Sequence, residues 1–170
     1  MSCYEQWSLV VQIAMFLVLV ATVTVYYFQL RAMRDQLRST QQAVDQNAVS
    51  GRTVATFRFV ERWNSPELRS LRSAWHRICE EFQQNDAPQM IKMLEEDSNR
   101  YETVTDVLNF FEEVALAVNA KTIDGDLLRR LLGETMKEYY STVLPWVEQR
   151  RLGRADAWTE LSTLIKAWGA

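Results

Sequence analysis

Residues 8–30 read SLVVQIAMFLVLVATVTVYYFQL, and none of these 23 residues is Asp, Glu, Lys, Arg or His. As an α-helix rising about 1.5 Å per residue, the stretch extends roughly 34 Å, enough to cross a hydrocarbon core of about 30 Å. A secretory signal peptide would begin with basic residues, whereas the leader MSCYEQW contains Glu5 and no Lys or Arg. A soluble helix of this length would carry charge on its solvent face. The stretch therefore predicts one transmembrane helix.

The charges next to this helix predict its orientation. Arg31, Arg34 and Arg38 follow it within eight residues, and no basic residue precedes it. Basic flanks of a membrane span remain on the cytoplasmic side. We therefore expect residues 1–7 to lie outside the cytoplasm and residues 31–170 to lie inside it.

The residues after the span continue a helical pattern, with no Pro to interrupt it. They place mostly apolar or small side chains at spacings of three and four, at Leu30, Met33, Leu37, Thr40, Val44, Asn47, Gly51 and Val54. This heptad spacing indicates a stalk helix over residues 31–52 that forms a weak coiled coil, so we expect a homo-oligomer. Leu30, Met33 and Leu37 are the candidate seam, together with Gln12 in the span. The alternatives are a solvated stalk and a Gln12 side chain that extends toward lipid headgroups.

Residues 53–170 are predicted to form one cytosolic domain of helices, because a segment of this length is typical of a single domain. The chain has only five Gly and three Pro, and no segment alternates with the period of a strand. Phe57, Trp75, Phe111 and Trp146 are expected in its core. Apolar residues recur at helical spacing over residues 66–84, 89–95, 98–119, 127–145 and 158–168. The predicted fold class is therefore all-α, with the span and stalk followed by a multi-helix bundle.

Turn signals separate these helices. Ser65 stands directly before a proline, as an N-cap does. In the loop KTIDGD, Gly125 is free to adopt positive φ, and Asp124 or Asp126 can cap the helix that follows. Pro145 predicts a kink or a restart of the helix.

Several segments, taken together, resemble one known family. They are FRFVERW at 57–63, VLNFFEEVA at 107–115, residues 131–136, and a Tyr pair at 139–140 ahead of LPWVE at 144–148. They resemble a bacterial family of single-span, all-helical proteins described only as a domain of unknown function, over most of residues 20–168. The resemblance implies a helical body anchored in the bacterial inner (plasma) membrane, and it implies no activity.

Two adjacent acids are the candidate site residues of the domain. Glu112 and Glu113 follow two phenylalanines in the most apolar segment, so at least one is expected to point partly inward. A buried carboxylate is costly unless it is paired, and Arg62, Arg69 and Arg72 are the candidate partners. Ion pairs that fix the packing of the helices and a pocket for a ligand or partner are both open interpretations.

Catalytic patterns are scarce in this sequence. His76 is the only histidine, and Glu80 lies one helical turn after it, which favours a surface ion pair over a metal site. The sequence has no glycine-rich phosphate loop and no nucleophile elbow. We therefore expect no enzyme activity and no cofactor, with a metal-dependent activity as the alternative. Acids and bases are mixed at a net charge of −3, so nucleic acid is not expected as a partner.

These features favour a membrane-anchored interaction or scaffold module. Such a protein would self-associate in the lipid bilayer and recruit an unidentified cytosolic protein partner. The alternative is a sensor or membrane effector component of a bacterial stress or antiphage system.

The arginine asymmetry around the span gives a testable topology. A reporter protein fused after Ala170 should be active only in the cytoplasm, because the three arginines resist translocation. Labelling with a membrane-impermeant reagent checks this result. A C-terminus that is labelled from outside intact cells would contradict the predicted orientation.

Overall fold

The computed structural model describes residues 3–82 and 86–169, with side chains described for residues 11–82 and 86–169. Regular structure in these ranges is entirely helical, which confirms the predicted all-α class. The helices are α1 (Cys3–Trp63), α2 (Pro66–Phe82), α3 (Ala87–Glu96), α4 (Ser98–Asn119), α5 (Gly125–Thr142), α6 (Leu144–Gly153) and α7 (Thr159–Ala167). The chain divides into two compact units, Met1–Ala48 and Val49–Ala170. The predicted outer segment, residues 1–7, is described only in part: residues 1 and 2 and the side chains of residues 3–7 lie outside the described ranges.

The first unit consists of the greater part of α1. Within the described ranges, α1 is the helix long and apolar enough, by length and composition, to cross a membrane. None of its most apolar 18-residue window is buried inside the protein. The hydroxyl groups of Thr22 and Thr24 donate to the carbonyl oxygens of Val18 and Val20, each at 2.8 Å. The two threonines therefore satisfy their polar groups within the helix itself.

The second unit is built around α4, which packs against α2, α3, α5 and α7. Apolar side chains repeat on more than one side of α4, so neighbouring helices can cover it on several sides. Its buried residues are Val104, Val107, Leu108, Phe110, Phe111, Val114 and Ala115. Trp75, Phe111 and Trp146 are 1%, 0% and 0% exposed, which confirms their predicted place in the core.

An aromatic cluster joins the end of α1 to α2, α4 and α5. The Trp63 ring stacks on Phe110 with centroids 5.4 Å apart and lies 5.0 Å from Phe111. Tyr139 of α5 lies 5.9 Å from Trp63 and stacks on Trp75 of α2 at 4.7 Å. Aromatic pairs of this geometry contribute about 0.5–1.5 kcal/mol beyond their buried area. These rings therefore fix how four helices meet.

Two helices begin at predicted caps, α2 at Ser65, whose Oγ accepts from the N–H of Leu68 at 3.4 Å, and α5 at Asp124. Asp124 caps α5, since its Oδ1 accepts from the N–H of Leu127 at 3.0 Å. Asp86 and Asp97 cap α3 and α4 in the same way. The chain restarts as α6 at Leu144, so the signal at Pro145 marks a break between two helices.

Gly125 does not adopt the positive φ that the sequence left open to it. It begins α5, and the residue with positive φ in this loop is Lys121, at 57°. A Cβ at Gly125 would lie 2.9 Å from Cγ1 of Val118. The glycine is therefore required by close approach to α4 and not by backbone conformation.

Of the neighbouring residues Thr56 and Phe57 near the end of α1, Thr56 is the buried one. Phe57 is 47% exposed, so its predicted place in the core is wrong. Thr56 is fully buried, donates to the carbonyl of Arg52 at 2.8 Å and accepts from the N–H of Asp124 at 2.9 Å. The α4–α5 loop packs against this face of α1. The buried N–H of Asp124 needs a hydrogen-bond acceptor there, which the hydroxyl of Thr56 supplies and a phenyl ring would not.

The burial of α4 gives a stability prediction with a control on the same helix. Phe111→Ala should lower the free energy of unfolding of the second unit by about 3–5 kcal/mol, because it leaves a cavity in the core. Leu116→Ala should change it by less than about 0.5 kcal/mol, because Leu116 is 55% exposed. Denaturant titration of the full chain in non-ionic detergent measures both values. Equal effects of the two substitutions would show that the face of α4 is assigned wrongly.

Candidate functional site

One of the predicted ion pairs lies at the rim of an open groove. Nη1 of Arg62 donates to both carboxylate oxygens of Glu113, at 2.9 and 2.8 Å, and its guanidinium lies 5.4 Å from the centre of the Phe110 ring. The groove has a volume of about 610 Å³ between the end of α1, α2 and α4. Both side chains of the pair are about half exposed, at 54% and 49%. Such a pair stabilises the fold by no more than about 1 kcal/mol.

The other two candidate arginines lie in a different groove. Arg69 and Arg72 line it with Trp63 and Tyr139, in a volume of about 400 Å³. The Arg72 guanidinium lies over the Trp63 ring at 5.1 Å and donates to Oδ1 of Asn64 at 3.3 Å. In the described ranges neither arginine forms an ion pair with Glu112 or Glu113. Of the three arginines proposed for these acids, the fold therefore brings Arg62 to one of them.

Glu112 has a different partner, the N-terminus of α7. Its two carboxylate oxygens accept from the N–H groups of Glu160 and Leu161, at 3.1 and 2.8 Å. The N-cap residue of α7, Trp158, forms no side-chain hydrogen bond to the N–H groups that begin the helix. A carboxylate at a helix N-terminus satisfies unpaired N–H groups and interacts favourably with the helix dipole. The partly inward acid is thus a helix cap contributed by another helix.

Around this cap lies a third cavity, of about 580 Å³, lined by residues of α4, of α6 and of the turn before α7. Asn109, one turn before Glu112, accepts a hydrogen bond from the indole Nε1 of Trp158 at 3.1 Å. The guanidinium of Arg150 lies between two rings, 4.9 Å from the centre of Tyr101 and 5.5 Å from that of Trp146. Neither Arg150 nor Trp158 was a candidate site residue from the sequence, where residue 158 was predicted only as the start of the last helix.

His76 and Cys79 are the potential metal-binding or nucleophilic side chains of their types in the second unit as described. His76 is exposed and faces the Tyr139 ring edge-on at 6.2 Å. Within the described ranges, no cluster of three or more His, Cys, Asp or Glu side chains is arranged to hold a metal ion. Burial raises the pKa of the Cys79 thiol to about 12, with a smaller contribution from the charge of Glu138. Cys79 is therefore a protonated thiol at neutral pH and a poor nucleophile.

The candidate seam residues all lie on α1 in the first unit. Leu30, Met33 and Leu37 are 57%, 62% and 69% exposed, and Gln12 is exposed as well. Gln12 precedes Leu30 by 18 residues, which equals five turns of about 3.6 residues. All four side chains therefore fall on one face of the helix, and no other described part of their unit covers them.

The two adjacent acids give a stability prediction. Glu112→Ala should lower the free energy of unfolding of the second unit by about 1–2 kcal/mol, as the loss of a helix cap does. Glu113→Ala is the matched control and should cost less than about 1 kcal/mol, because its ion pair is exposed. Denaturant titration of both variants in detergent compares them. A larger effect at Glu113 would overturn the assignment of Glu112 as the cap of α7.

Comparison with known proteins identifies the family. No curated protein and no solved structure matches the chain. The family described as "Domain of unknown function (DUF4760)" matches residues 10–168, nearly the whole chain. The protein therefore belongs to the DUF4760 family.

Proposed function

We propose that this protein is a membrane-anchored, non-enzymatic interaction module. In this proposal residues 8–30 cross a bacterial inner membrane, residues 1–7 lie outside, and the helical domain recruits a cytosolic protein. Copies of the chain associate in the plane of the membrane through the seam on α1.

The exposure of apolar side chains in the first unit carries the proposal. Phe16, Leu17, Val18 and Leu19 are 61–66% exposed, and most large apolar side chains from residue 11 to residue 30 are similarly exposed. Transfer of such a side chain out of water is favourable by about 1.5–3 kcal/mol. Lipid provides that transfer without any protein contact. If this helix were instead buried in a protein assembly, other protein chains would have to cover the same apolar side chains.

Polar groups in this part of α1 are consistent with lipid as the solvent. The hydroxyls of Thr22 and Thr24 are already bonded to carbonyls one turn earlier, so they add no unpaired donors. The arginines at 31, 34 and 38 begin directly after the apolar residues, which favours a cytoplasmic C-terminal domain.

The shared face of Gln12, Leu30, Met33 and Leu37 supports self-association. A Gln side chain in a membrane contributes about 0.6–2 kcal/mol when it hydrogen-bonds a neighbouring helix. Membrane confinement raises the effective concentration of the stalks, so a weak seam can pair there when it would not pair in free solution.

A role without catalysis agrees with the chemistry of the domain. The chain has a single histidine, and the Cys79 thiol is held in its protonated form. The groove at the Arg62–Glu113 pair offers both charge and apolar surface, which suits contact with a protein.

A second candidate function is a sensor or membrane effector in a bacterial stress or antiphage system. The cavity lined by Tyr101, Arg150 and Trp158 favours it, because a sensor requires a ligand site that is separate from its anchor.

The seam is tested by substitutions on two faces of α1. Leu30→Ala/Met33→Ala/Leu37→Ala should weaken self-association at least tenfold, because it removes the apolar contacts that pair the stalks. Val25→Ala/Phe28→Ala is the control, since these residues are also exposed but lie about 115° and about 175° from the centre of the seam, at about 100° of rotation per residue. Single-molecule counting in lipid vesicles measures the oligomer, and flotation of the vesicles measures insertion.

Two outcomes would contradict the proposal at different points. Failure of the wild-type chain to float with vesicles would overturn the membrane anchor. A wild type that inserts but stays monomeric, or an equal loss of assembly in both variants, would overturn the seam and leave the anchor standing.

A further inference from the structure

The cavity beside α7 has the size of a small-molecule site. Its volume of about 580 Å³ falls within the range of about 300–1,000 Å³ that is typical of ligand pockets. Its walls belong to the second unit and combine rings with charged and amide groups. Its lining includes Tyr101, Asn109, Glu112, Arg150, Arg154 and Trp158.

Arg150 is the group in this cavity that lacks a counter-charge. Its guanidinium is held against the rings of Tyr101 and Trp146, and its Nε is buried with no hydrogen-bond partner in the described part of the chain. Its neighbour Arg151 is fully engaged, since Nε and Nη2 donate to the carbonyl oxygens of Ala157 and Trp158 at 2.8 Å each. The terminal nitrogens of Arg150 are therefore the donors available to a ligand.

Two acids line the same cavity, and both are already occupied. The oxygens of Glu112 accept from two N–H groups of α7, and Asp156 pairs with Arg154 at 3.2 Å. Neither forms an ion pair with Arg150 in the described ranges. A positive charge that is fixed by aromatic rings and not neutralised favours an anion, and its planar fork suits the two oxygens of a carboxylate or phosphate.

Trp158 supplies a flat apolar surface next to this charge. Its backbone is left-handed, with φ 49° and ψ 44°, a conformation that costs energy for a bulky side chain. Three contacts hold it there. Its ring lies 5.3 Å from the Trp146 ring, its Nε1 donates to Asn109, and its carbonyl accepts from Arg151. A strained residue fixed in this way is typical of binding sites.

We propose that this cavity binds a small organic anion in which a phosphate or carboxylate is attached to a planar ring. The terminal nitrogens of Arg150 bind the oxyanion, and the ring stacks on Trp158 or Tyr101. Oδ1 of Asn109 is occupied by Trp158, so its amide nitrogen is the remaining donor toward the ring. This inference goes beyond the interaction module and does not depend on membrane insertion.

Four probes separate the contributions of ring and oxyanion. Adenosine monophosphate carries both groups, indole-3-acetate carries a ring with a carboxylate, adenosine carries the ring alone, and inorganic phosphate carries the oxyanion alone. Each is titrated by calorimetry into the full chain held in nanodiscs of phosphatidylcholine. At least one of the first two should bind ten times more tightly than either single-group probe. Adenosine monophosphate and indole-3-acetate together test a phosphate and a carboxylate, each attached to a planar ring.

Substitutions at Arg150 locate the binding. Arg150→Gln should weaken the binding of that probe at least tenfold, and Arg150→Lys, which keeps the charge but loses the fork, should weaken it less. Arg130→Gln is the matched control, because Arg130 is an exposed arginine of α5 outside this cavity, and it should leave binding unchanged. Thermal unfolding of each variant checks that it is folded, and Arg150→Lys serves if Arg150→Gln does not fold.

Two results would overturn this inference. One is a wild type that binds none of the four probes at about 5 mM. A dissociation constant above this concentration corresponds to less than about 3 kcal/mol of binding free energy, too little for a specific site. The other is binding that survives unchanged in folded Arg150 variants. The titrations test the cavity in the second unit, whereas flotation and single-molecule counting test the anchor and the seam on α1. A negative result in one set therefore leaves the other standing.

Discussion

Burial of α4 on several sides is the constraint on which the second unit depends. Its apolar residues cover too much of its circumference for one neighbour to shield, so α2, α3, α5 and α7 pack around it. The rings of Phe110 and Phe111 on α4 contact Trp63 at the end of α1. The Phe111 ring also contacts Tyr139 of α5. The groove at the Arg62–Glu113 pair and the cavity beside α7 are both lined in part by residues of α4.

Polar side chains then fix the parts of the fold that apolar packing leaves free. Thr56 holds the α4–α5 loop, Glu112 holds the N-terminus of α7, and Arg151 holds the turn before it. Each satisfies backbone groups that would otherwise be unpaired, and such groups are costly to leave without a partner. The Glu112 carboxylate is bonded to α7 and does not pair with Arg150. The Arg151 guanidinium is bonded to backbone carbonyls, so Arg150 is the arginine of this pair that is left with free donors. The same contacts that stabilise α7 thus define the chemistry of the cavity next to it.

The two units distribute apolar side chains in opposite ways. In residues 11–30 most large apolar side chains are exposed, whereas in the second unit the buried core includes four tryptophans, at positions 63, 75, 146 and 168. Water as the solvent accounts for the second pattern through the hydrophobic effect. Lipid as the solvent accounts for the first, and this is the physical basis of the proposed anchor. The family assignment spans both units, since it covers residues 10–168.

Local signals in the sequence were sufficient for the all-α class, the long apolar helix and most helix ends. Residues 98–119 were predicted as a helix and form α4 with the same bounds, because an apolar period and a cap are properties of neighbouring residues. The partners of Glu112 and Glu113 needed the tertiary structure. These adjacent acids point about 100° apart on α4, so one meets Arg62 and the other meets α7. The left-handed turn at Trp158 and the isolated charge of Arg150 likewise depend on contacts between segments about 40–50 residues apart, and no local pattern encodes such contacts.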